Sequence, residues 1–153
     1  MNKTNAMRIL EREKIVYAVH EYSGGALSGI EAAAALGEDP AFVFKTLVTS
    51  GASGRNYVFV IPVAAELDLK KAAAAAGEKS VEMLPQKQLF PLTGYVHGGC
   101  SPVGMKKLFP TFFDSSALGK TIFVSGGRVG AQVEVAFCAL ARILSAHSAD
   151  LIR

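Results

Sequence analysis

Val43-Phe44-Lys45-Thr46-Leu47-Val48-Thr49 is followed by Ser50-Gly51-Ala52-Ser53-Gly54-Arg55, and then by Asn56-Tyr57-Val58-Phe59-Val60-Ile61-Pro62-Val63. The outer runs are β-branched and aromatic, and the segment between them is small, polar and glycine-containing. The stretch therefore reads as two strands joined by a hairpin-like loop. Neighbouring strands recur further along. Thr111–Asp114 and Lys120–Ser125 have strand character, Ser125-Gly126-Gly127-Arg128-Val129-Gly130 is a turn, and Ala131–Val135 is the final strand. Strands that come in adjacent pairs, not in strict alternation with helices, predict an α/β (α+β) domain. Its sheet is mixed, largely antiparallel and barrel-like, with helices packed around it.

Working outward, Thr4–Glu13 reads as a helix, with Thr4 as its cap and Ala6, Ile9 and Leu10 on one face. Ile15–Tyr22 is a strand. Ser28-Gly29-Ile30-Glu31 is a capping box that opens an alanine-rich helix ending at Leu36-Gly37. Asp39-Pro40 opens a short turn, and Asp68 caps a helix from Leu69 to Ala76 that Gly77 ends. Val81–Leu84 is a short strand, Pro85 starts a short helix that fades by Thr93-Gly94, and Ala136–Ala146 is a closing helix. No repeat, linker or charge block divides the chain, so residues 1–153 read as a single compact domain.

At 153 residues and 16.1 kDa, with 50% hydrophobic and 19% charged residues, the chain can build its own core and is not of disordered composition. A net charge of +3 is too small for a protein that coats duplex DNA. It suffices for one local basic patch facing a nucleic-acid end or a small anion. The N-terminus has no apolar signal region, and Tyr57–Ala65 is far shorter than the roughly 20 residues of a spanning helix, so no membrane role is expected. The lone cysteines Cys100 and Cys138 suit a reducing cytoplasm. With His20, His97 and His147 they form no zinc spacing, and neither a metal nor a cofactor is expected.

Three features could carry chemistry. Strand periodicity puts Val43, Lys45 and Leu47 on one face and Phe44, Thr46 and Val48 on the other, so Lys45 has no obvious access to solvent. A buried ammonium costs several kcal/mol unless an anion pairs with it. Lys45 is then either an anion site or an edge-strand lysine that guards against aggregation. The loop Gly94-Tyr95-Val96-His97-Gly98-Gly99-Cys100-Ser101-Pro102-Val103-Gly104 lets backbone amides approach a ligand closely, or is an ordinary tight connection. Ser125-Gly126-Gly127-Arg128 can meet a phosphate at a strand end, or is a turn with a solvated arginine. Cys100 as a nucleophile with His97 as base would need a third, orienting group, and none is visible. Cys138 reads as a small buried hydrophobe, and His20 and His147 as structural residues. Lys70-Lys71 and Lys106-Lys107 are solvated faces or parts of a basic rim.

Phe44-Lys45-Thr46-Leu47-Val48, the Gly94–Gly104 loop and Val124-Ser125-Gly126-Gly127-Arg128 occur in that order, with Asp68-Leu69-Lys70-Lys71-Ala72-Ala73 and Val133-Glu134-Val135. In this combination the chain resembles, over nearly its whole length, the YbaK/EbsC-type aminoacyl-tRNA deacylases. It looks closest to the YbaK branch, which clears Cys from mischarged tRNA(Pro). The resemblance implies one α/β domain around a barrel-like sheet, and trans-editing of a wrongly made aminoacyl-tRNA ester. It implies that Lys45 engages the substrate end and that the Gly98-to-Pro102 loop, with Gly99, Cys100 and Ser101, holds the aminoacyl group. Lys45, Gly98 and Gly99 are then the catalytic positions. Tyr22, Thr46, Ser125, Gly126, Gly127 and Arg128 complete the substrate pocket, with Arg128 and Lys106-Lys107 at its rim. It further implies cleavage assisted by the substrate's own thiol, giving a thiolactone without an enzymatic nucleophile, metal or cofactor. Expected substrates are Cys-tRNA(Pro) and Cys-tRNA(Cys), met through the acceptor end, with prolyl-tRNA synthetase as a partner. The competing expectations are a deacylase for Ala or other small residues, and a non-catalytic module that binds an acceptor end or a synthetase. His97 and Val129 depart from the family pattern.

Overall fold

The computed structural model describes residues 2–25 and 27–153. Its first helix, α1 (Asn5–Arg12), begins where the Thr4 hydroxyl accepts a hydrogen bond from the Met7 amide at 3.2 Å. The strand β1 (Tyr17–Glu21) follows. Helix α2 (Gly29–Leu36) starts at the expected capping box, with Ser28 Oγ accepting from the Glu31 amide at 3.2 Å and Glu31 Oε1 from the Ser28 amide at 2.9 Å. It stops at Gly37, whose φ of 71° is the left-handed conformation that glycine adopts freely. The hairpin is β2 (Phe44–Gly51) and β3 (Asn56–Pro62). Helix α3 (Leu69–Ala76) is capped by Asp68, which accepts from the Lys70 and Lys71 amides at 2.9 and 3.1 Å. Then come β4 (Val81–Met83), α4 (Leu89–Thr93), β5 (Thr111–Asp114), β6 (Thr121–Ser125), β7 (Ala131–Ala136), α5 (Phe137–Leu144) and β8 (His147–Ala149).

The strands form two sheets. One is antiparallel in the order β1-β7-β6. The other runs β4-β2-β3-β5-β8 and is antiparallel except where β5 pairs parallel with β3 and with β8. The mixed, largely antiparallel α/β class is as expected, but the sheets do not close into a barrel. They meet edge to edge through an isolated bridge between Val43, the residue before β2, and Phe123 of β6, and no ladder continues from there. Closure requires a staggered hydrogen-bond register carried along whole strands.

The sheets instead stack around a core. Phe44, Val48, Val58, Val60 and Phe113 of the larger sheet face Ile122, Val124, Val133 and Val135 of the smaller, closed in by Met7 and Leu10 of α1 and Leu140 of α5. The alternation of β3 sends Tyr57, Phe59 and Ile61 to the opposite face, where Ala72 and Ala73 of α3 cover them with Leu67 and Leu151. No helix among the described residues is long and apolar enough to cross a membrane.

Two local expectations need correction. Ala131–Val135 is not the final strand, since β8 follows the closing helix. Its residues His147, Ser148 and Ala149 lack an apolar alternation, and the strand is held by parallel pairing to β5 and by Asp114, whose buried carboxylate accepts from the Leu151 amide at 3.0 Å. Cys138 is exposed, not buried, because α5 turns Phe137, Leu140 and Leu144 inward and Cys138 falls on the outer side.

Asp114 also accepts from the Ser116 amide and hydroxyl, so it fastens the turn after β5 and the chain after β8 together. Asp114→Ala would strand the buried Leu151 amide. An equilibrium urea titration is expected to show a loss of roughly 1.5–3 kcal/mol.

Candidate functional site

The site is built on the edge of β2. β4 pairs only with Thr49, Ser50 and Gly51, and the Leu84 amide adds one bond to the Val48 carbonyl at 3.1 Å. Phe44 to Leu47 pair with β3 on one side only and leave the other edge open. Because the Val48 carbonyl turns to the β4 side, strand alternation turns the backbone N–H and C=O of Thr46 to that open edge.

A cavity of about 490 Å³ occupies this gap. Its floor is Val43 to Val48. One wall is Ser125 and Gln132 of the smaller sheet, a second is Ser28, Gly29 and Ala32 at the start of α2, and a third is Met83, Leu84, Gln86 and Leu89. Tyr22, His97, Gly98 and Cys100 close it. Helix α2 comes this near because residue 29 is glycine: a Cβ there would lie 2.7 Å from the Val63 side chain.

Six of the sequence-predicted residues, Lys45, Tyr22, Thr46, Gly98, Cys100 and Ser125, line this one cavity. Gly99, Ser101, Pro102, Gly126, Gly127 and Arg128 lie behind it. Gly99 presses the loop onto the 126–130 turn, since a Cβ there would sit 2.8 Å from the Val129 amide nitrogen and 2.9 Å from the Arg128 carbonyl carbon. Ser101 is fully buried and accepts from the Val103 amide at 3.2 Å. Gly127, with φ 103°, packs against Thr4, whose hydroxyl donates to the Gly126 carbonyl. Arg128 is directed elsewhere, donating to the Asn2 carbonyl at 2.8 Å and to Glu21 at 3.4 Å. Lys106 and Lys107 lie over the Phe90 and Phe109 rings, at 5.5 and 6.0 Å, and neither lines the cavity.

Lys45 is half-buried, and burial lowers its pKa below the ordinary lysine value, while the charge of Glu66 acts in the opposite sense. No carboxylate among the described residues is within ion-pair distance of it. The cavity therefore holds a cation with no anion of its own. The Cys100 thiol has the reverse problem: burial pushes its pKa up to about 12, so it is protonated near neutral pH and a poor nucleophile. His97 is exposed, and no hydrogen bond joins it to Cys100 among the described residues. His20 is engaged structurally, 2.9 Å from Glu134 and edge-on to Phe123.

Sequence reasoning missed Gln132. It faces Ser125 directly across β6 and β7, on either side of the glycine turn. Counting back across that turn from Ser125 would have found it.

The aminoacyl-tRNA editing domain family matches this chain over residues 25–143. A curated protein of Enterococcus faecalis (strain ATCC 700802 / V583), provisionally named Cys-tRNA(Pro)/Cys-tRNA(Cys) deacylase EbsC, is 45% identical over 152 residues, which cover 97% of this chain and 93% of that one. A solved structure described provisionally as a trans-editing enzyme for prolyl tRNA synthetase is similar with a TM-score of 0.85 and 27% identity, over 100% of this chain and 99% of its own. A second solved structure, of a hypothetical protein, reaches a TM-score of 0.90 at 24% identity, over 98% of this chain and 100% of its own, a likeness of fold alone.

The two thiols should separate chemically. With iodoacetamide at pH 8, peptide mapping is expected to find Cys138 alkylated in the folded protein and Cys100 alkylated only after denaturation. Comparable labelling rates would contradict the protonated, enclosed state of Cys100.

Proposed function

The chain belongs to the aminoacyl-tRNA editing domain family and is an aminoacyl-tRNA deacylase, and we propose that the ester it cleaves best is Cys-tRNA(Pro), with Cys-tRNA(Cys) as a second substrate. The observation that carries this reading is a cavity with an unpaired lysine and no activated nucleophile. A volume of about 490 Å³ suits a ligand of small-molecule size, such as an amino acid esterified to a terminal ribose, and is too small for a length of RNA.

A pocket without a nucleophile can still cleave an ester when the substrate brings one. In a cysteinyl ester the side-chain thiol attacks its own carbonyl. The new S–C bond forms, the C–O bond to the ribose breaks, and the thiol proton goes to the departing ribose oxygen. The products are a cyclic thiolactone and tRNA with a free hydroxyl. The protein's part is to fold the ester into attack geometry and to offer donors to the oxygen that gains charge, effects that can each account for several kcal/mol of barrier.

In this scheme Lys45 holds the anionic acceptor end, and ligand binding relieves the absence of an anion around it. Thr46, with its hydroxyl and its open-edge amide, and the backbone of Gly98 and Cys100 face the carbonyl. Gly99 keeps that backbone in place against the 126–130 turn, and Tyr22, Cys100 and Ser125 shape the remaining wall. Gly126 and Gly127 hold Ser125 through the turn, Pro102 stiffens the loop exit, and Arg128 acts from outside the cavity. One such pocket offers little surface for choosing among whole tRNAs, so prolyl-tRNA synthetase is proposed as the partner that supplies selectivity. The free thiols suit the cytoplasm.

Purified protein incubated with Cys-tRNA(Pro), Cys-tRNA(Cys), Ala-tRNA(Pro) and Pro-tRNA(Pro) should deacylate the cysteinyl esters fastest, and rates equal to buffer on all four would end the proposal. Alkylating the substrate thiol should stop turnover. Undiminished cleavage of the blocked ester would replace thiol attack by water attack.

Lys45→Ala is expected to lower kcat/KM by about 10² or more, the order found for losing one positioned electrostatic group. The pH dependence follows from the sign of the Lys45 shift. Its pKa is lowered, so its charge disappears as pH rises through a value below the ordinary 10.5. Affinity for the acceptor end, measured by fluorescence anisotropy, should weaken earlier on the alkaline side than an exposed lysine would allow, and Lys45→Ala should remove that limb.

A further inference from the structure

Among the described residues, the buried side-chain polar atoms left without a hydrogen-bond partner are Thr46 Oγ1 and Gln132 Oε1. They come from different sheets, yet both residues line the same cavity. An unmet buried acceptor costs about 1–3 kcal/mol, so its persistence in a folded chain calls for a reason.

Gln132 is only 7% exposed. Its strand neighbours are Ser125 on β6 and His20 on β1, and neither side chain hydrogen-bonds its oxygen. Ser125 Oγ accepts from the Gly127 amide at 3.2 Å, and His20 Nε2 lies 2.9 Å from Glu134. An amide oxygen can only accept, so the group that satisfies it must be an N–H or O–H donor.

We propose that Gln132 is a specificity-determining residue of this pocket, its Oε1, shielded from solvent in the unliganded chain, turning to accept a hydrogen bond from a donor next to the scissile ester, either the α-amino group or the adjacent ribose 2′-hydroxyl, with Thr46 Oγ1 meeting a neighbouring polar atom of the same ligand. This rests on the deacylase reading of the site. The pocket thus recognises the functional groups shared by all aminoacyl esters separately from the side chain it selects. An ester lacking the matching donor leaves the Gln132 acceptor unmet and is rejected.

The test uses the full chain and an uncleavable probe, 3′-cysteinylamino-3′-deoxyadenosine, with two relatives, one lacking the α-amino group and one lacking the 2′-hydroxyl. Calorimetric titration of wild type should show a loss of about tenfold or more for one of the two relatives, the worth of one hydrogen bond. Gln132→Met, close in shape but without an acceptor, should lose the same factor on the parent probe and nothing further on that relative. Coupling to the amine-free probe identifies the amino group as the source, and coupling to the 2′-deoxy probe identifies the hydroxyl. Gln132→Glu retains an acceptor and should retain the coupling.

Additive losses, wild-type affinity in Gln132→Met, absence of coupling in Gln132→Glu, or no wild-type binding at millimolar probe would each overturn the proposal. A thermal melt separates a structural role. Removing an unmet acceptor should leave the unliganded Gln132→Met protein at or above the wild-type Tm, and a lowered Tm with equal loss on all three probes overturns the assignment. Turnover of Cys-tRNA(Pro) by wild type is read in parallel. Turnover without coupling sinks this inference alone, and coupling without turnover sinks the deacylase reading alone.

Discussion

A strand paired along both edges can bury itself completely, and β2 is denied that over half its length. β4 reaches only Thr49, Ser50 and Gly51, so the stretch from Phe44 to Leu47 must find its second neighbour elsewhere. The site follows from that missing partner. The smaller sheet meets the larger at the Val43–Phe123 bridge, one residue before β2, and then diverges, and α2 and the segment after β4 stop short of the edge. Between them they enclose a space with strand backbone for a floor. Unpaired backbone at the bottom of a cavity is an arrangement that a ligand can complete and a packed core cannot.

The polar groups around that space are similarly unfinished. Lys45 has no carboxylate in contact, and Thr46 and Gln132 have unmet oxygens. Each lowers the stability of the empty protein, and each becomes favourable when a ligand supplies the missing partner. The surrounding structure is by contrast fully tied. The Glu78 carboxylate accepts from Ser53 and Tyr57, which pins the hairpin to the end of α3, and Thr4 ties the start of α1 to the turn after β6. A rigid frame around a few unmet groups is what preorganisation requires, because little has to move when the ligand arrives.

Legibility in the sequence divides by distance along the chain. The Ser28–Glu31 box, the Asp68 cap and the glycine stops at Gly37 and Gly77 act over a few residues, and each is where local chemistry predicts it. Lys45, the Gly98 loop and Ser125 were recognisable singly, and their convergence came from the combination of motifs in order. Gln132 carries no mark in its own strand, and only its pairing with Ser125 across the glycine turn leads to it. β8 escaped for the same reason, as its residues have no strand signature and are held by Asp114. Arg128 reads as either a phosphate contact or a solvated turn arginine, and in the fold it is held instead by the Asn2 carbonyl and Glu21. The open sheets in place of a barrel likewise depend on where β2 and β6 part, which no local pattern encodes.

The order of the smaller sheet has a consequence for biogenesis. β1 is made long before its partner β7, with Tyr17 opposite Val135, and β6 joins only through β7 as well. During synthesis the N-terminal strand must remain unpaired until more than a hundred further residues have emerged. A ribosome-bound nascent chain thus presents the β2–β3 hairpin with one apolar face still uncovered. Long-range pairing of this kind slows folding and prolongs exposure to aggregation. A protein that edits a substrate of translation is therefore one whose smaller sheet cannot form until residues 131–136 have been made.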